Sequence, residues 1–324
     1  MKTLKMILAL TVLFCLLVKS NAFGRPRVAL YPAQTSGEKW LSDDASRYLK
    51  STVSQGYRIL LPAEFEPLLK KEAESRPDFP IESFYSSLLK YDIGYLILGK
   101  AAEESGKAGY QFKVYDLKTD RCRIFSGEVP VEKEKNKWKE SLRKSAYDTL
   151  RYMRGRDRLE LTSQRESEMA LALTKRLPKG PRPPVSAAII EMVSGSPSPE
   201  HFAETALLYY LESCGFPVKD GESLLLREYA RFYFVNQKRD FPLTLSAEYY
   251  IIGTASAEPS DEFAGLSGAA SQMEIRVLDR EGKVVCGKRV KVEAHAQDPK
   301  AAVARALKAA ASEIALEVLP LLRY

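Results

Sequence analysis

Two stretches of this chain carry the same succession of hydrophobic patterns. Residues 95–101 (YLILGKA) and 249–255 (YYIIGTA) are each an apolar strand run stopped at a glycine, Gly99 and Gly253. Residues 113–122 (KVYDLKTDRC) and 276–286 (RVLDREGKVVC) each read as a strand ending at an aspartate, Asp116 or Asp279. A polar turn follows, and then a second strand begins. Each series closes in an amphipathic helix. Trp138, Leu142, Ala146, Leu150 and Met153 fall three or four residues apart in the first, as do Val303, Leu307, Ala310, Ile314 and Val318 in the second.

The starts agree more loosely. Residues 27–33 (RVALYPA) and 187–193 (AAIIEMV) are apolar strands running into turn residues and then a helix. In the second series Ser198 suits an N-cap and Pro199 the first helical position. Ala203, Ala206, Leu207, Tyr210, Leu211 and Cys214 then form the buried stripe, Gly215 ends the helix, and 216–220 (FPVKD) reads as a short strand.

Both series therefore run β-α-β-α-β-β-β-α. The early strands need crossover helices and so pair in parallel, whereas the later ones are joined by short turns and pair antiparallel. The fold class is α/β with mixed (α+β) character: two similar domains, each a mixed sheet packed by helices. Equivalent positions lie 154 to 165 residues apart, a drift that loop insertions produce. The length of 324 residues suits two domains, and 45% apolar with 28% charged residues is a globular balance that excludes disorder.

The first residues stand apart. Lys2 and Lys5 precede an apolar run at 6–18, too short to span a bilayer, and Ser20-Asn21-Ala22 offers a small-residue cleavage site. The pattern predicts a signal peptide over 1–22, cut after Ala22. Cys15 lies inside the apolar run and follows the bulky Phe14, so the expected product is periplasmic or secreted and not a lipoprotein. The remaining boundaries are a first domain over 23–153, a basic, Pro-rich linker over 154–184 and a second domain over 185–324. The stretch 301–322 is apolar, but Arg305, Lys308, Glu313 and Glu317 are too costly for a lipid-facing helix.

The formal charge of +7 includes Lys2, Lys5 and Lys19, so the mature part is only mildly basic, without a nucleic-acid signature. The excess sits in the connector, at Arg151, Arg154, Arg156, Arg158, Arg165, Lys175, Arg176, Lys179 and Arg182. Two readings stand side by side. One is a solvated helix face plus spacer; the other is an interaction surface for something anionic in the envelope. Three cysteines follow the signal, Cys122, Cys214 and Cys286, and match no zinc spacing. The topology allows a Cys214–Cys286 disulfide, with a buried free thiol as the alternative.

Catalytic motifs are weak. His201 and His295 have no second ligand at metal spacing and read as surface or packing residues. Ser267 in 265–269 (GLSGA) resembles a nucleophile elbow, but Ala269 replaces the final glycine, and a loop serine is the simpler reading. Asp116 with Asp120, and Asp279 with Glu281, suit hairpin turns better than paired catalytic carboxylates. No phosphate-binding glycine motif occurs. The aromatic and basic mixture at 224–241 reads as the core face of a crossover helix. No catalytic, cofactor or metal site is expected.

The second series, through 216–220 (GFPVKD with Gly215), 249–255, 273–294 (MEIRVLDREGKVVCGKRVKVEA) and the closing Ala-rich helix, resembles a small envelope domain. That domain occurs in the TolB amino-terminal region, the curli-secretion lipoprotein, the peptidoglycan-synthase activator lipoproteins and flagellar assembly protein T. The first series resembles it through ALYPA, YDIGYLILGK and VYDLKTD. The resemblance implies a non-enzymatic assembly or docking module. It departs from the curli protein, whose pore needs long membrane hairpins, because the comparable insertion at 256–272 reads as a short polar loop. The expected function is therefore a periplasmic scaffold bridging envelope proteins of a larger complex, such as a flagellar or secretion apparatus. It would have no transmembrane segment after cleavage and would be compatible with a homo-oligomer. The alternative is a ligand-binding or sensor protein with a cleft between its domains.

Overall fold

The computed structural model describes residues 25–322 apart from 36–38, 75–80, 105–106, 119–120, 131–134, 158–165, 236–239, 243 and 264. The signal peptide expected at 1–22 lies outside these residues. The first half contributes β1 (Arg27–Thr35), β2 (Arg58–Leu60), β3 (Ile93–Glu104), β4 (Lys107–Asp116) and β5 (Arg121–Pro130). The second contributes β6 (Val185–Val193), β7 (Ser196–Pro197), β8 (Tyr249–Phe263), β9 (Leu266–Asp279) and β10 (Val284–Ala296). These strands form one mixed sheet in the order β2-β1-β3-β4-β5-β10-β9-β8-β6-β7. As the patterns require, β1 runs parallel to β2 and β3, and β6 runs parallel to β8, while β3-β4-β5 and β8-β9-β10 are antiparallel. The halves meet where β5 pairs with β10.

Helices cover both faces. On one lie α1 (Lys39–Val53), α3 (Lys135–Asp157), α4 (Glu166–Arg176), α5 (Phe202–Ser213) and α7 (Pro299–Val318). On the other lie α2 (Pro62–Ala73), a 3-10 helix (Ile81–Tyr91) and α6 (Ser223–Phe234). Strand alternation assigns the cores. Val28, Tyr95 and Phe112 meet Leu41, Trp138 and Leu142 on the first face, while Ala29, Leu96 and Ile124 meet Phe65 and Leu88 on the second. In the second half Ile189, Ile251 and Ile275 meet Leu207, Tyr210, Leu307 and Ile314, and Tyr250 and Ile252 meet Leu226 and Tyr229. The aromatic crossover helix is thus a core element.

Several local expectations change. Both strands run straight through Gly99 and Gly253 instead of stopping there. The glycines serve close approach. A Cβ on Gly99 would lie 2.9 Å from the Cα of Ala33, and one on Gly253 would lie 2.8 Å from the carbonyl oxygen of Glu274. The insertion at 256–272 is the far end of a hairpin, because β8 and β9 stay paired out to Phe263 and Leu266. The 216–220 segment makes a single parallel bridge, Val185 to Val218, in place of a strand.

Helix α5 begins at Phe202, after the predicted Ser198 and Pro199. A carboxylate from the sheet sets that start: Glu191 Oε1 accepts the Glu204 amide at 2.9 Å. Burial outweighs these amide bonds and raises the Glu191 pKa. The connector also differs from an extended spacer. Residues 154–157 complete α3, and α4 buries Met169, Ala170 and Leu173 in the second-half core. Only 177–184 is irregular among its described residues.

The close approach at Gly253 generates a test. Gly253→Ala should lose about 1–3 kcal/mol of stability, because Ile275 Cγ2 and the Glu274 backbone both stand 2.8 Å from the added carbon. Urea unfolding measures it. An unchanged midpoint would show that the strands part without cost.

Candidate functional site at the seam between the halves

The ladder between β5 and β10 is two residues long: Arg123 pairs with Val292 and Cys122 with Glu293. Charged side chains extend it on both faces. On the face of α3 and α7, Arg123 Nη1 lies 2.6 Å from Glu317 Oε1 and 3.5 Å from Glu313 Oε2. Arg156 donates from Nε to Asp116 Oδ2 at 3.1 Å, and its Nη1 lies 3.5 Å from Glu313 Oε1. The Tyr152 ring packs against both guanidiniums, at 5.3 and 5.8 Å. On the opposite face Lys113 Nζ lies 2.6 Å from Glu293 Oε2, and Ser260 Oγ donates to Glu293 Oε1 at 2.8 Å. His295 Nε2 stands 3.7 Å from that oxygen.

Arg123, Arg156, Glu293 and Glu313 are all buried. Burial disfavours the charge on Arg156, but Glu313, Tyr152 and Asp116 outweigh it and raise the pKa. Burial likewise opposes ionisation of Glu317, and Arg123 with Lys288 overcomes it and holds the carboxyl below its usual range. Such pairing explains how these charges are tolerated away from water.

Beyond the short ladder, residues 124–130 of β5 and 284–291 of β10 have no strand partner among the described residues on the edges they turn toward each other. A wedge-shaped cavity of about 1040 Å³ opens there. Lys107, Lys144, Arg289 and Lys291 line it, with Glu128 and Asp148 as its carboxylates. A second cavity of about 610 Å³ adjoins it on the helix face, bounded by Tyr152, Arg151, Arg176, Leu316 and Leu321. The wedge suits an anionic occupant.

The basic connector residues disperse. Arg156 is the clear correction to the interaction surface, because its guanidinium is buried in the seam with Asp116 and Glu313. Arg151 and Arg176 are exposed and border the smaller cavity. Arg154 is exposed near the Gln55 carbonyl, Lys175 and Lys179 face solvent, and Arg182 packs over the Phe216 ring at 5.7 Å. Arg158 and Arg165 lie outside the described residues.

The Cys214–Cys286 bond is not formed, and both are free thiols. Cys214 turns toward α4, where Thr174 Oγ1 donates to its sulfur at 3.4 Å, while Cys286 sits half-buried on β10. Burial raises both thiol pKa values. Cys122 is buried beside Tyr115.

Asp279 performs its turn role, accepting from the Glu281 and Lys283 amides at 3.0 and 2.9 Å. Asp116 does the same for Lys118 with one oxygen and binds Arg156 with the other. Asp120 lies outside the described residues. Ser267 is in β9 opposite Ala296, and His201 precedes α5 with φ of 46°. No cluster of three His, Cys, Asp or Glu side chains fit to hold a metal occurs among the described residues.

No family model matches the sequence, and no curated protein matches it. Solved structures similar to part of the chain include lipoprotein GNA1162 from Neisseria meningitidis, at 13% identity. It aligns with 36% of this chain and 86% of its own, with a TM-score of 0.22. The PelC dodecamer from Paraburkholderia phytofirmans is 17% identical over 46% of this chain and 93% of that one, with a TM-score of 0.25. Protein XCC0632 from Xanthomonas campestris is 13% identical over 45% and 85%, with a TM-score of 0.21. No helix among the described residues is long and apolar enough to cross a membrane.

Two measurements probe the seam. Arg156→Leu strands Asp116 beside a half-neutralised Glu313 and should cost about 3–5 kcal/mol in denaturant unfolding; a neutral result would mean the network is energetically idle. The depressed Glu317 pKa sets a pH dependence. Its contribution is complete above the ordinary carboxyl value and is lost as pH falls through the lowered folded value. Thermal midpoints should therefore drop on acidification below about pH 4.5, less steeply in Glu317→Gln; parallel curves would contradict that assignment.

Proposed function

We propose that this chain is an exported, non-enzymatic scaffold of the bacterial cell envelope that holds components of a larger complex at a fixed spacing. The observation supporting this reading is the seam. Two units of similar strand order share one sheet, and charges from both halves lock their edges together. A frame of this kind presents two differently clad halves in a set orientation. The candidate nucleophiles and bases support the same reading: Ser267 lies in a strand pair, His295 leans on a carboxylate already held by Lys113, and both Cys214 and Cys286 have raised pKa values. The export signal and the resemblance to envelope assembly domains agree with it.

The second reading, a ligand-binding protein, is favoured by one observation, the large wedge between the halves. Cross-linking in intact cells followed by affinity recovery separates the two. The scaffold reading expects envelope proteins to co-purify reproducibly with the tagged chain. Recovery of one small molecule with no protein partner would replace it with the ligand-binding reading.

A further inference from the structure

The wedge combines two features that ask for the same occupant. The first is backbone. Residues 284–291 of β10 are paired with β9 on one side only, and the opposite edge faces the gap with its amides and carbonyls unclaimed by β5. Val284 and Val285, at the outer end of this stretch and beyond the residues that line the cavity, are exposed. The second is charge. Lys291 and Arg289 on β10 stand across the gap from Lys144 of α3 and Lys107 of β4. Lys107, Lys144 and Lys291 have no ion-pair partner among the described residues.

From these the geometry points to a docking groove for an extended acidic peptide of a partner protein, which adds as an antiparallel strand to the free edge of β10. Strand addition supplies the missing ladder hydrogen bonds, and acidic side chains of the added strand meet the lysines across the gap. A phosphate or polysaccharide anion would answer the charge but leave the strand edge unused. The lysines also have a simpler role, that of discouraging edge-to-edge aggregation. That role predicts no peptide binding. The proposal rests on the scaffold reading and names the chemistry of one partner segment.

The test uses the purified full exported chain and a short fluorescent peptide of alternating glutamate and valine. Anisotropy should report binding, and amide exchange should slow within 284–291. Methylating alternate backbone nitrogens of the peptide should abolish binding, because it removes the ladder donors while keeping the charge. Lys144→Glu with Lys291→Glu should weaken binding by about tenfold or more with an unchanged thermal midpoint, since neither lysine is part of the core. Equal binding of the methylated peptide would overturn strand addition and leave an anion site. Absence of binding, or protection elsewhere in the chain, would also overturn the groove. Envelope proteins recovered by cross-linking despite that failure would leave the scaffold reading intact.

Discussion

Charge is sorted by half at the seam between β5 and β10. Lys113, Arg123 and Arg156 come from the first half, and the carboxylates they meet across the seam, Glu293, Glu313 and Glu317, come from the second. A ladder of two residue pairs is too short to define which edges join or in what register. The side chains supply that definition: a slip of one residue would turn Arg123 to the opposite face, away from Glu313 and Glu317. Continuity of the ten-stranded sheet, the placement of α3 beside α7, and the opening of the wedge all follow from this one charge-matched contact. Burying ions is costly, so the gain lies in specificity of docking more than in net stability.

The same contact explains why the wedge exists. The pinned end brings β5 and β10 within hydrogen-bonding distance, and the twist of each half's sheet then carries the free ends apart. Along the opening Lys107, Lys144, Arg289 and Lys291 outnumber Glu128 and Asp148, while Glu313, Glu317 and Glu293 are engaged at the seam.

Much of the fold was legible in the chain, for physical reasons that differ by element. Helical stripes are local and periodic: Trp138 to Met153 and Ala203 to Cys214 point inward as their spacing requires. The order of strands and helices was legible because crossover length dictates parallel or antiparallel pairing. The seam was hardly legible, because its partners are far apart in the chain. Arg156 belongs to a run of basic residues that normally means a solvated face, and Glu313 interrupts an alanine-rich stripe in the manner of a surface charge. One signal was present. Glu313 and Glu317 lie one turn apart beside the apolar stripe of α7, where two carboxylates need a cationic neighbour if that flank is covered. The start of α5 failed for a related reason, since Glu191 from the sheet replaced the local cap at Ser198. Long-range partners also decided the glycines, which read as strand ends but are contact points.

The order of these partners along the chain has its own consequence. Arg156 finds Asp116 only 40 residues away, so the first half neutralises that cation by itself. Arg123 must wait for Glu313, 190 residues further on, in the last long helix of the chain. Until that helix arrives, the first half stands with an uncompensated guanidinium and a bare strand edge. That helix also supplies Leu307, Ile314 and Val318 to the second-half core, so one element completes both the core and the seam. Joining the halves therefore depends on α7: the element that closes the second-half core is also the one that brings Glu313 and Glu317 to Arg123.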